Sequence, residues 1–184
     1  QFAARSYPEI LRNEKICSCT VIGLDPIKEK ENKAKRVDIH MNYQILLKSD
    51  HWEIGFDKLL HMLPIVGTAY KKVYYDTITG ENRSELCLPN EIIVNDNVQK
   101  LQVARRITHI IPTYYNLVVE RVRMGIYREE ILENLANKNN TSKEKDYDKP
   151  LQLYEQHRWL DLDNDGLEEP YIVTVETNSG QVCR

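Results

Sequence analysis

No apolar run in the chain approaches the roughly eighteen residues that a membrane-spanning helix requires. Cysteine is scarce, four in 184 residues. Cys17-Ser-Cys19 is too tight for a zinc knuckle, and Cys87 and Cys183 lack a CxxC partner. Free thiols are therefore expected, not a disulfide framework or a cysteine-held zinc. Glycine motifs are missing as well: there is no P-loop, no GxGxxG and no G-x-S-x-G elbow. The usual sequence routes to nucleotide binding and serine catalysis are thus absent. His40, His51, His61, His109 and His157 show neither HExxH nor HxxxH spacing. No catalytic or cofactor-binding residue is assigned, and the chain is not expected to be an enzyme. A net charge of -3 gives the whole molecule no strong preference for nucleic acid or membrane. The N-terminus, Gln1-Phe-Ala-Ala-Arg-Ser-Tyr7, has neither an initiator Met nor the apolar stretch of a signal peptide. That pattern leads to the expectation of a cytoplasmic origin and a trimmed chain.

What is present reads as globular, with 41% hydrophobic and 29% charged residues. A domain of this length buries roughly 70% of its unfolded surface, enough for a core. Residues 3–11 form a short helical stretch and residues 17–24 an apolar, strand-like run. Asp25-Pro26 predicts a helix start, with Asp as cap. Ala34, Val37, Met41 and Ile45 then fall on one helical face before Lys48. Asp50-His-Trp-Glu53 resembles a capping box for a second helix, whose face is Trp52, Phe56, Leu59, Leu60 and Leu63. Pro64 and Gly67 end or kink it. The period then changes to two. Residues 68–76 and 83–88 flank the turn Thr77-Ile-Thr-Gly80 as an antiparallel pair. Short strands follow over 91–95 and 105–111, then a helix from Pro112-Thr113 to Gly125 and helical residues 128–135. A last hairpin surrounds an acidic turn, with Trp159 expected in the core alongside Leu63. The fold class is α+β: two N-terminal helices, antiparallel hairpins forming a sheet, a helical insertion and a C-terminal hairpin. Residues 1–136 read as one portion and 137–149 as a polar, mobile linker. Residues 150–184 read as a hairpin packing on the same domain.

Asp161-Leu-Asp163-Asn-Asp165-Gly166 matches the first half of a calcium loop, in which alternating carboxylates face one ion and Gly allows the sharp turn. The twelfth position, where an EF-hand needs a bidentate acid, is Ile172. Glu168 or Glu169 would have to substitute. Calcium at Asp161, Asp163 and Asp165 stands beside a plain reading, an Asp/Asn/Gly hairpin turn. Eleven tyrosines against two phenylalanines suit either half-wet interfaces or simple strand propensity. The basic runs, five cationic residues against two acidic ones in Lys28–Arg36 and a weaker excess over residues 100–128, read as solvated faces. Arg105, Arg106, Arg121, Arg123 and Arg128 carry no nucleic-acid motif.

Four stretches together resemble the portal proteins of tailed bacteriophages, of the P22-like podovirus type. They are Gln1-Phe-Ala-Ala-Arg-Ser-Tyr-Pro-Glu-Ile10; Asp57-Lys-Leu-Leu-His-Met-Leu-Pro-Ile-Val-Gly-Thr68 with Lys71-Lys-Val-Tyr-Tyr75; Arg106-Ile-Thr-His109; and Tyr154-Glu-Gln-His-Arg-Trp-Leu-Asp-Leu-Asp-Asn-Asp-Gly166 with Glu169-Pro-Tyr-Ile-Val-Thr174. Their order is the family's. The resemblance implies a piece from the N-terminal half of a longer chain, in the outer wing of the subunit, consistent with the missing Met and the end at Arg184. It also implies a ring of about a dozen subunits at one capsid vertex. Double-stranded DNA would be packaged and ejected through that ring. Capsid protein would be a partner of this piece, with terminase and tail or adaptor proteins contacting other parts. The implied location is the virion, after synthesis in the bacterial host cytoplasm, with no membrane contact. No catalytic step belongs to such a ring, and ATP hydrolysis falls to the terminase.

Overall fold

The switch of hydrophobic period near residue 68 separates a helical N-terminal stretch from the strands that follow. The computed structural model describes residues 1–11, 15–133, 135 and 149–184. It is an α+β fold that divides by contact into two units, Gln1–Pro89 and Asn90–Arg184. The division falls at Pro89, whereas residues 1–136 were expected to form one portion; the hairpin beyond residue 150 belongs with residues 90–135. The expected linker over 137–149 lies outside the described residues, apart from Lys149.

The first unit holds α1 (Phe2–Ile10), α2 (Glu29–Tyr43) running into a π-helical turn (Gln44–Lys48), α3 (Asp50–Val66), and the hairpin β1 (Tyr70–Asp76) and β2 (Glu81–Cys87). Along α3, Trp52, Phe56 and Leu60 follow at four-residue intervals and share a face. The two aromatic rings stack at 5.3 Å, and Leu60 is buried. Lys71 of β1 lays its Nζ over that stack, 4.9 Å from the Trp52 ring and 5.6 Å from Phe56. This cation–π clasp ties β1 to α3. Burial of the ammonium there lowers its pKa. Pro64 stays inside α3, which ends at Gly67, whose φ of 80° suits the left-handed cap. Asp50 is the first residue of α3 and not its N-cap. Ser49 holds the N-cap position without a side-chain bond, and Trp52 N–H donates to the Ser49 carbonyl.

Two expectations fail in this unit, for one physical reason. Residues 17–24 do not form a strand, and the buried face of α2 is not Val37 and Met41, which are exposed. Buried instead are Asp38 and Asn42. The Asn42 amide acts as a piece of sheet: Oδ1 accepts from the N–H groups of Ile16 (2.7 Å) and Cys17 (3.0 Å), and Nδ2 donates to the Cys17 carbonyl at 2.9 Å. Asp38 forms an ion pair with Lys15. A segment whose backbone is satisfied by a side chain needs no strand partner there. The start of α2 is shifted too. Asp25 closes a turn rather than occupying the N-cap, and its carboxylate reaches forward to accept from Glu31 N–H at 2.9 Å. The helix begins at Glu29, after Lys28 at φ 58°.

The second unit is one antiparallel sheet in the order β3 (Ile92–Val94), β4 (Arg106–Thr113), β5 (Leu151–Leu160), β6 (Glu169–Glu176). Pro112 and Thr113 complete β4 instead of opening a helix; α4 (Tyr115–Arg123) starts beyond them. In β4, Ile111 pairs with Leu153, and Thr113 with Leu151. Against this end pack Val118 and Val122 of α4, together with Tyr127, Ile131, Leu135 and Cys183. Cys183 enters the core because its N–H donates to the Thr174 carbonyl (2.7 Å) and its carbonyl accepts from Arg128 N–H (2.9 Å). Glu176, in β6, is wholly buried. Its carboxylate accepts from the N–H groups of Asn178 (2.9 Å) and Ser179 (2.6 Å) and from the Ser179 hydroxyl (2.5 Å).

All four thiols are free. Burial pushes that of Cys183 up to about 11, so the folded state keeps a proton that the unfolded chain gives up. Its contribution is complete below the unfolded thiol's pKa and is lost as pH rises towards the folded value. At neutral pH, a thiol reagent is expected to label half-buried Cys17 and Cys19 quickly. Cys87 and Cys183 should be labelled only on denaturation. Fast labelling of Cys183 would show that the C-terminal segment does not stay docked.

Candidate functional site

The far end of the second unit's sheet holds Arg105, Arg106 and the acidic loop singled out in the sequence. Beyond Leu160 the chain turns through Asn164 (φ 61°) and Gly166 (φ 90°) before β6 begins. At such a φ any side chain is strained, which accounts for glycine at 166. Asp161 Oδ2 accepts from Gly166 N–H at 2.9 Å, and Asp165 Oδ1 from Leu167 N–H at 2.7 Å. These bonds fold the loop so that one carboxylate oxygen each from Asp161, Asp163 and Asp165 lies within 4.8 Å of the others. Among the described residues this is the one such cluster of His, Cys, Asp or Glu. The remaining oxygen of Asp161 is inaccessible and has no hydrogen-bond partner.

The oxygens that calcium would need beyond these three are engaged elsewhere. Glu168 forms a two-oxygen ion pair with the Arg105 guanidinium. Glu169 accepts from the Tyr171 hydroxyl at 2.7 Å, a bond that raises the tyrosine's pKa. Ile172, at the twelfth position of the motif, is an exposed strand residue and offers no ligand.

Beside the loop lies an open trough of about 700 Å³, lined by Arg105, Arg106, Arg158, Trp159, Asp96 and Glu168 among others. Trp159 was expected in the core but is 46% exposed. It sits where β5 leaves the packed part of the sheet. Arg106 faces Arg158 directly across β4 and β5, a pairing that depends on register and that no local motif announces. Arg121 is drawn away from this group: its guanidinium donates to the Tyr127 hydroxyl at 2.6 Å and covers that ring. The tyrosines divide as well. Tyr75 and Tyr114 are exposed, whereas Tyr70, Tyr74, Tyr115, Tyr154 and Tyr171 are partly buried. Among the histidines, His61 sits by Asp57 and His157 by Glu155, each within its own element.

Compared with protein-family models and with curated proteins, the chain matches none. Its functional reading therefore rests on its own residues. Among the described residues, no helix is long and apolar enough to cross a membrane.

Proposed function

We propose that the chain is a wing piece of a bacteriophage portal ring, working through contacts with neighbouring subunits and the capsid shell. The observation that carries this reading is the co-occurrence, in the family's order, of the four stretches that resemble portal proteins. A second property supports assembly in general. The first unit leaves a broad set of apolar side chains in solvent, including Ile22 (93% exposed), Leu24 (92%), Ile27 (82%) and Ile65 (83%). Exposed apolar side chains of this kind are available for contact with a neighbouring subunit. In this reading the chain performs no catalytic step, and the virion is its location. Genome passage belongs to the ring as a whole, and terminase and tail or adaptor proteins meet other parts of the subunit. Native mass spectrometry tests it: the expected species is a closed ring of about a dozen copies. A strict monomer up to high micromolar concentration would sink the claim that this piece carries ring contacts.

The second reading is a calcium-stabilised β-rich binding module. It is favoured by the convergence of Asp161, Asp163 and Asp165 and by the unpartnered Asp161 oxygen. Oxygens bound to one calcium ion at about 2.4 Å each lie up to about 5 Å apart, so the spacing suits that ion. A true site would stabilise the fold by about 2.7 kcal/mol at a hundredfold excess over Kd. That gain would disappear in Asp163→Asn. An unchanged melting temperature on adding millimolar calcium eliminates this reading.

A further inference from the structure

We propose that the arginine trough receives the acidic loop, residues 161–168, of a second copy of this chain. The inference rests on the reading of the chain as a self-assembling subunit and names one contact within that assembly. Arg106 and Arg158 are cross-strand partners. Their side chains therefore leave the same face with Cβ atoms about 5 Å apart. Like charges so placed oppose each other and weaken the pairing of β4 with β5. Among the described residues no ion pair engages either arginine. Glu168 is taken by Arg105, and no ion pair joins Asp96 to either arginine.

The complementary charge lies on the same molecule and is equally unspent. Asp163 is exposed, and Asp165 gives one oxygen to its own loop. Within one chain, the loop region sends only Glu168 to an arginine of the trough. Leu162 (62% exposed) and Leu167 (64%) flank the loop carboxylates. Trp159 also lines the trough, but it alternates with Arg158 along β5 and leaves the other face of the strand. Docking a loop from another copy would pair two guanidiniums with two carboxylates. Guanidinium forks suit carboxylates in two-point contacts. The trough's charge also argues against a polyanion. Three arginines are set against two carboxylates, too small an excess for a groove that follows a phosphate backbone.

Sedimentation of the full chain in chelator, so that no cation occupies the aspartates, provides the test. Wild type is expected to associate, more weakly as salt is added. R106E/R158E and D163R/D165R should each weaken association about tenfold or more. An equimolar mixture should recover to within about threefold of wild type, because each reversed surface then meets its complement. R106Q/R158Q removes the repulsion within the sheet and so remains folded, and it should still associate more weakly than wild type. Unchanged association in both reversed variants, with wild type oligomeric, overturns this contact and leaves the ring reading intact. Failure of the mixture to recover also overturns it. A monomeric wild type overturns the contact and the ring contacts together.

Discussion

Glu176→Ala is expected to destabilise the protein by about 3 kcal/mol, because three charge-assisted hydrogen bonds disappear from a buried site. The carboxylate is wholly buried. Its two oxygens hold the N–H groups of Asn178 and Ser179, so its loss leaves the turn after β6 without acceptors. That turn leads directly to Cys183 in the core. Urea denaturation checks the prediction, with faster thiol labelling of Cys183 as a second readout. Glu176→Gln keeps the shape and one good acceptor and should cost roughly half as much. A loss below about half a kcal/mol for the alanine variant would mean that the turn is held by other contacts.

Asn42→Ala is the other large effect expected, about 2–4 kcal/mol. The amide accepts from two backbone N–H groups and donates to two backbone carbonyls, those of Cys17 and Asp38. Alanine leaves these groups to find water in a partly buried place. Asn42→Asp is the sharper comparison. It retains the acceptors, loses the donor to the Cys17 carbonyl, and places a second carboxylate beside Asp38. Hydrogen exchange at Ile16 and Cys17 should accelerate in both variants. Protection unchanged in the alanine variant would rule out the amide as the anchor of this segment.

The contrast between these residues and the elements read correctly from sequence is informative. The α3 face and the β1–β2 hairpin were legible because apolar spacing and a Gly-containing turn act locally. So was the acidic loop, where the run of Asp, Asn and Gly sets both the turn and the convergence of three carboxylates. The buried face of α2 was not, since its inward residues are Asp38 and Asn42. A periodicity argument assigns polar residues to solvent and places Val37 and Met41 inside. Residues 17–24 look like a strand by composition, but strands need partners, and Asn42 supplies that role from far along the chain. The strand character of Pro112 and Thr113 depends on pairing with Gln152 and Leu151. No local signal carries that. The Arg106–Arg158 pair illustrates the same limit: each arginine is visible, but their juxtaposition is a matter of register.

The burial of Cys183 beneath the C-terminal sheet has a consequence for biosynthesis. The packed cluster joins Val118 and Ile131 to Leu153 and Cys183, so it cannot close while the later residues are still being synthesised. The contacts that define the unit Gln1–Pro89 join residues made before any of these. Nascent chains are therefore expected to carry a folded first unit ahead of an open second one. During that interval Val118, Val122 and Ile131 stand uncovered, the period in which a chaperone or a neighbouring nascent chain has access to them.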